Sequence, residues 1–152
     1  MPAQPKAAAA NRWVYSVKFV CGVQKEERCS PVRAGIYATE INIHNFQPQL
    51  EAKIEKRIMV LVDQGAPVGR EPKTVKAKPF DQIVLPPDSA TMDDCCLIAE
   101  KLHLTQGGPL TVGFLELVAN TELNVTAVYT ATGSNGQNVS IEVETISGRR
   151  IV

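Results

Sequence analysis

Leu123-Asn-Val-Thr-Ala-Val-Tyr-Thr-Ala131 decides the fold class. Leu123, Val125, Ala127, Tyr129 and Ala131 fall on one side of an extended chain, and Asn124, Thr126, Val128 and Thr130 fall on the other. This is the two-residue period of a strand with one buried face. Gly113-Phe-Leu-Glu-Leu-Val-Ala119 precedes it and Val139-Ser-Ile-Glu-Val-Glu-Thr145 follows, each set off by turn residues. Three such segments in a row predict antiparallel sheet.

Working outward, Trp13, Tyr15, Val17, Phe19 and Cys21 alternate with Val14, Ser16, Lys18 and Val20, a first strand with an aromatic inner face. Gly22 to Pro31 is a charged loop around Lys25-Glu-Glu-Arg28. Tyr37, Thr39, Ile41 and Ile43 then oppose Ala38, Glu40, Asn42 and His44 in a half-buried strand. Leu50 to Val62 is mixed, since its first half suits a helix, but the branched run Ile58-Met-Val-Leu-Val62 favours a strand. Gly65, Pro67, Gly69 and Pro72 mark a loop, and Thr74 to Leu85 supplies one or two short strands in which Pro79 requires an edge or a break. Asp93 to Leu102 is the one credible helix, with a carboxylate to cap its start and Leu97, Ile98 and Leu102 on one side. The sum is mainly β: an antiparallel β-sandwich of about seven or eight strands with one short helix.

A chain of 152 residues with 44% apolar content forms a single domain, 12–152, able to bury a core without crosslinks. Residues 1–11, rich in Pro and Ala, form an arm too polar to pack by itself, flexible or pinned on a neighbouring subunit. Sixteen basic and sixteen acidic residues cancel, so nothing draws the chain to nucleic acid. No apolar run is long enough to insert in a membrane, and the N-terminus lacks the pattern of a secretory signal. The expected location is cytoplasmic, unless the chain is a processed mature form. The four cysteines are then expected as thiols rather than bridges. Asn124-Val-Thr and Asn138-Val-Ser match the glycosylation pattern inside strands and carry no weight.

Chemistry-bearing residues are few. Cys21, Cys95, Cys96 and His44 are weak candidates for a metal, because structural zinc sites draw paired ligands from a tight knuckle and adjacent Cys95-Cys96 cannot imitate that geometry easily. The plainer reading makes Cys21 and one of Cys95 or Cys96 small buried hydrophobes. A thiolate at the helix start is opposed by Asp93 and Asp94. A Cys21–Cys95 disulfide is geometrically open, and a thiol count under denaturing conditions decides it. Glu40, His44 and Asp94 can be arranged as a hydrolytic set, but no nucleophile turn accompanies them, and His44 reads better as a strand-end residue bonded to backbone. The loops at Gly65 to Arg70 and Gly107-Gly-Pro109 lack the Lys-Ser/Thr of a phosphate cradle, and Arg149-Arg150 reads as a solvated tail. No catalytic residue and no cofactor are expected.

Tyr15-Ser-Val-Lys-Phe-Val-Cys-Gly22, Gly35-Ile-Tyr-Ala-Thr-Glu-Ile-Asn-Ile-His-Asn45, Asp94-Cys95, Gly113-Phe-Leu-Glu-Leu-Val118 and Leu123-Asn-Val-Thr-Ala-Val-Tyr-Thr130 together resemble a group of small uncharacterised bacterial β-sandwich proteins. The final strands are also distantly similar to the sensory rhodopsin transducer family, a tetrameric sandwich. Both resemblances imply fold and transfer no activity, cofactor or site residue.

The leading expectation is a non-enzymatic, self-assembling structural or interaction module, a homo-oligomer held partly by the N-terminal arm. It rests on strands with apolar residues on both faces, as at Ile58 to Val62 and Phe114 to Val118, which need a cover. The alternative is a metal- or redox-responsive thiol protein using Cys21, Cys95 and Cys96.

Overall fold

The computed structural model describes residues 11–152. The elements run β1 (Arg12–Gln24), β2 (Gly35–Asn45), β3 (Ala52–Asp63), β4 (Ala66–Pro67), β5 (Lys78–Leu85), β6 (Ser89–Asp94), α1 (Cys95–Lys101), β7 (Thr111–Ala119), β8 (Asn124–Thr132), β9 (Ser140–Ile146) and β10 (Arg149–Ile151). All ladders between them are antiparallel, and the ten strands form one open sheet folded into two layers. The expected class holds, with more strands than the seven or eight anticipated.

The larger layer is ordered β10-β1-β7-β3, with β4 and β5 sharing the far edge of β3. The smaller is ordered β6-β2-β8-β9. β1 belongs to both layers: Trp13 to Cys21 pair with β7, whereas Gly22 to Gln24 pair with Tyr37 to Gly35 of β2. Between the β10 and β2 pairings, side chains serve the backbone of β1. The Thr39 hydroxyl accepts from the Val20 N–H at 2.9 Å and donates to the Val20 carbonyl at 3.0 Å, and the Tyr129 hydroxyl donates to the Lys18 carbonyl at 2.9 Å. An inward threonine thus replaces a missing strand partner, which a buried backbone requires.

The core lies between the layers. Tyr15, Val17 and Phe19 of β1 and Leu115 and Leu117 of β7 meet Ile41 and Ile43 of β2 and Val125 and Ala127 of β8, all buried. These are the inward positions of the alternation, and each large aliphatic or aromatic removed from water there contributes roughly 1.5–3 kcal/mol. The Tyr15 hydroxyl is satisfied inside this core by both the N–H and the carbonyl of Leu123. At one end, the buried Asn45 amide donates to the carbonyls of Leu50, Leu85 and Pro86 and ties the β2–β3 and β5–β6 connections together.

Pro79 sits on β5, an edge strand, where the β3–β5 ladder slips between Lys56 and Arg57 and Phe80 is the extra residue. Three local expectations are corrected. Asp93 belongs to β6, and the helix begins only at Cys95, capped by the Asp94 carboxylate accepting from the Leu97 N–H at 2.9 Å. Ile98 is buried, but Leu97 is only half-buried, because seven residues give too little helix for a wide apolar stripe. Arg149 and Arg150 are no loose tail: they lie in β10, paired with Val14 and Trp13.

Candidate functional site

Two regions carry features beyond packing. The first is a cleft between α1, the β1–β2 junction and the loop from Leu104 to Pro109, of about 190 Å³. Cys21 and Cys95, 74 positions apart in sequence, form a disulfide in its wall, with Cα atoms 5.6 Å apart. This corrects the expectation of free thiols and of Cys21 as a simple buried hydrophobe. That expectation came from the compartment inferred from the N-terminus, whereas the fold brings the end of β1 against the start of α1. The Cys95 sulfur also accepts the Thr39 N–H at 3.1 Å. Cys96 lines the same cleft as a free, exposed thiol, and Cys29 is a second exposed thiol in the loop after β1. The remaining wall is apolar, chiefly Ile36, Tyr37, Ile98, Ala99 and Leu104.

Of the candidate metal ligands, Cys21, Cys95 and Cys96 share the cleft and His44 does not join them. His44 lies five residues along β2 from Thr39, roughly 16 Å away, on the opposite face of the strand. Its Nε2 lies 3.5 Å from an Asp88 carboxylate oxygen. No cluster of three or more His, Cys, Asp or Glu side chains suited to a metal occurs among the described residues. Glu40 and Asp94 are register neighbours on β2 and β6, but His44 is four positions from Glu40 and pairs with Ala90, so the three do not assemble as a hydrolytic set.

A buried ion pair escaped the sequence reading. Lys56 of β3 points inward from one layer and Asp93 of β6 from the other, each side chain 2% exposed. Lys56 Nζ donates to Asp93 Oδ1 at 2.9 Å and lies 2.8 Å from Oδ2, which has no other hydrogen-bond partner. A signal existed: Lys56 shares the inward parity of Ile54 and Ile58, although the flanking Glu55 and Arg57 conceal it. Asp81 of β5 stands near this pair. Burial opposes its ionisation, but the Gln82 N–H, the Lys101 ammonium and the Lys56 charge outweigh that and hold its carboxyl below the ordinary value. With both members of the Lys56–Asp93 pair sealed from solvent, this arrangement joins the layers and offers nothing to a substrate.

The second region is the outward face of the smaller layer at its β9 edge. Val139, Ile141 and Val143 are 63%, 67% and 65% exposed, on the same side of the chain. Val128 of β8 faces Val143, and Thr130 faces Ile141, so the row continues inward across the sheet. Ile36 and Met92 are further exposed apolar side chains on β2 and β6. On the opposite face of β9, Glu142 and Glu144 stand near Tyr129. Burial first, and then these two carboxylates, push the Tyr129 hydroxyl up to about 12.

The outward faces expected to be bare prove half-covered. Met59 and Phe114 are register neighbours on the larger layer, Lys18 Nζ lies 4.9 Å above the Phe114 ring, and Arg57 pairs with Glu116 beside them. Val118 is buried. Within the strands the barest apolar side chains are therefore Ile141 and Val143 of β9, ahead of Val84 of β5 and Met92 of β6; the pattern of β9 is plain in the sequence, but its edge position is not.

No family model matches the chain, and no curated protein matches it. Among solved structures, the chain is similar to one titled "Crystal Structure of Thermotoga maritima 1070", at 12% identity, over 91% of this chain and 93% of that one, with a TM-score of 0.47. No described helix is long and apolar enough to cross a membrane.

Proposed function

We propose that this protein is a non-enzymatic interaction module that assembles with copies of itself through the outward side of the smaller layer. The observation that carries this reading is the row Val139, Ile141 and Val143, three aliphatic side chains about two-thirds exposed on the edge strand β9 and the residue that leads into it. An exposed apolar edge strand is a pairing template that monomeric proteins usually blunt with lysine, proline or a covering segment. β9 carries none of the first two, and among the described residues it pairs only with β8. The N-terminal arm expected to contribute to assembly falls, except for Asn11, outside the described residues. Sedimentation of the full chain across a concentration series tests the reading. A mass that rises above 16.5 kDa supports it, and a monomer at every concentration refutes it.

A redox-responsive thiol protein is the second reading, favoured by the disulfide and the free Cys96 lining one cleft. Two equivalents of a small thiol would convert the bridge to two protein thiols and one small-molecule disulfide. Thiol titration in glutathione buffers, without denaturant, tests it. A bridge that stays closed until the chain unfolds would confine the cysteines to a structural role.

A further inference from the structure

We propose that the partner of β9 is the β9 of a second copy, joined antiparallel about a two-fold axis through Ile141. This rests on the self-assembly reading and adds its site and register. The pairing would merge two smaller layers into one eight-stranded sheet, β6-β2-β8-β9 followed by its two-fold image. Side chains on one face of a sheet must pair with side chains on the same face, so a symmetric pairing places the axis on a residue. Four centres, Ser140 to Val143, differ in charge and in apolar match.

An axis on Glu142 sets Glu142 against the partner's Glu142. An axis on Val143 sets Glu142 against the partner's Glu144, twice. An axis on Ile141 sets no glutamate against another: Glu142 opposes the partner's Ser140, and Glu144 falls level with the neutral turn that precedes the partner's β9. On the outward face it sets Ile141 against the partner's Ile141 and Val139 against the partner's Val143, so all three exposed aliphatics of each copy find apolar partners. Like charges directly opposite destabilise a ladder and aliphatic pairs stabilise it, so the two effects together select this register. An axis on Ser140 also keeps the glutamates apart, but it sets Val143 against the partner's Gln137, so the register centred on Ile141 is the one of the four that gives every exposed aliphatic an apolar partner. A single strand pair is smaller than the roughly 1,200–2,000 Å² of a standard interface, so the association is expected to depend on concentration.

Cysteine crosslinking reads the register directly. In a background carrying Cys29→Ser and Cys96→Ser, which removes the two exposed thiols, single variants Ile141→Cys, Glu142→Cys and Val143→Cys are oxidised mildly and run without reductant. With the axis on Ile141, facing Cα atoms at that position lie about 5 Å apart, within disulfide reach. Position 142 then lies about 8 Å from its copy and position 143 about 14 Å, both beyond it. Ile141→Cys is expected to give a covalent dimer and the other two are not, and Ile141→Lys in the unaltered chain is expected to leave a monomer with unchanged melting. Crosslinking strongest at 142 or 143 overturns the register. An oligomer that ignores Ile141→Lys and does not link at 141 overturns the β9 interface while leaving self-assembly standing, and its loss on deletion of residues 1–10 would transfer the contact to the arm. A chain monomeric throughout overturns both proposals.

Discussion

Removing one member of the Lys56–Asp93 pair is expected to be among the most damaging single changes available in this sandwich. Both side chains are 2% exposed, and the ammonium reaches both carboxylate oxygens within 2.9 Å. Asp93→Ala strands a lysine in the core, and breaking such a pair costs about 3–5 kcal/mol because the remaining charge has lost its compensation. At about 2 kcal/mol per molar urea, this lowers the unfolding midpoint by roughly 1.5–2.5 M. The two sides are not equivalent. Lys56 without Asp93 still feels the charge of Asp81, whereas among the described residues Asp93 is bridged by no second cation, so Lys56→Met is expected to cost more than Asp93→Asn. The double variant Lys56→Met/Asp93→Leu removes both desolvation costs and is expected to be as stable as the unaltered chain or up to about 4 kcal/mol more stable. Urea unfolding of the unaltered chain, Lys56→Met, Asp93→Leu and the double variant closes a double-mutant cycle, and the double variant supplies a readout even if a single variant does not fold. Single substitutions costing under about 1 kcal/mol, or a double variant as unstable as the worse single one, would refute a sealed and mutually dependent pair.

Three further outcomes follow from the same geometry. Native alkylation is expected to label two cysteines, Cys29 and Cys96, and alkylation after denaturation and reduction all four; Cys21→Ser should cost about 2–4 kcal/mol in thermal or urea unfolding, and four labels in the native oxidised protein would contradict the bridge. Gly113→Ala is expected to disrupt the larger layer, since a Cβ there would lie 2.0 Å from the Met59 carbonyl oxygen and 2.9 Å from the Phe19 ring, and wild-type melting of that variant would show the β3–β7 contact to be looser than described. Tyr129 should ionise near pH 12, seen as a late step in ultraviolet titration; because its folded value lies above its unfolded value of about 10, its stabilising contribution is complete below pH 10 and is lost as pH rises toward 12. Loss of that late step in Tyr129→Phe checks the assignment, and an unchanged titration would reject it.

Much of the fold was legible because its strands are one-sided. Tyr15, Val17 and Phe19, like Val125 and Ala127, announce an inward face that the structure confirms. The resolution of Leu50 to Val62 as strand came from its branched second half, and β3 indeed spans Ala52–Asp63. What stayed hidden depends on which strands become neighbours. Nothing local in Lys56 points to an aspartate 37 positions away, and nothing in Cys21 selects Cys95 over Cys96. The strand at Ser140–Ile146 was visible, yet its edge position, which makes Ile141 bare, follows from the order of the sheet. Short pairings such as β10 and β4 carry too few residues for any period to show.

The dual membership of β1 bears on how the chain is made. Its main partner, β7, begins at Thr111, and β7 is also what joins β3 to β1. β2 likewise waits for β8, which begins at Asn124. A ribosome that has released only the first hundred residues therefore holds strands whose central neighbours have not yet been translated. Folding of both layers must wait until β7 and β8 have been made, and the nascent β1, with Trp13, Tyr15 and Phe19 uncovered, is the segment a nascent-chain holdase would be expected to grip first.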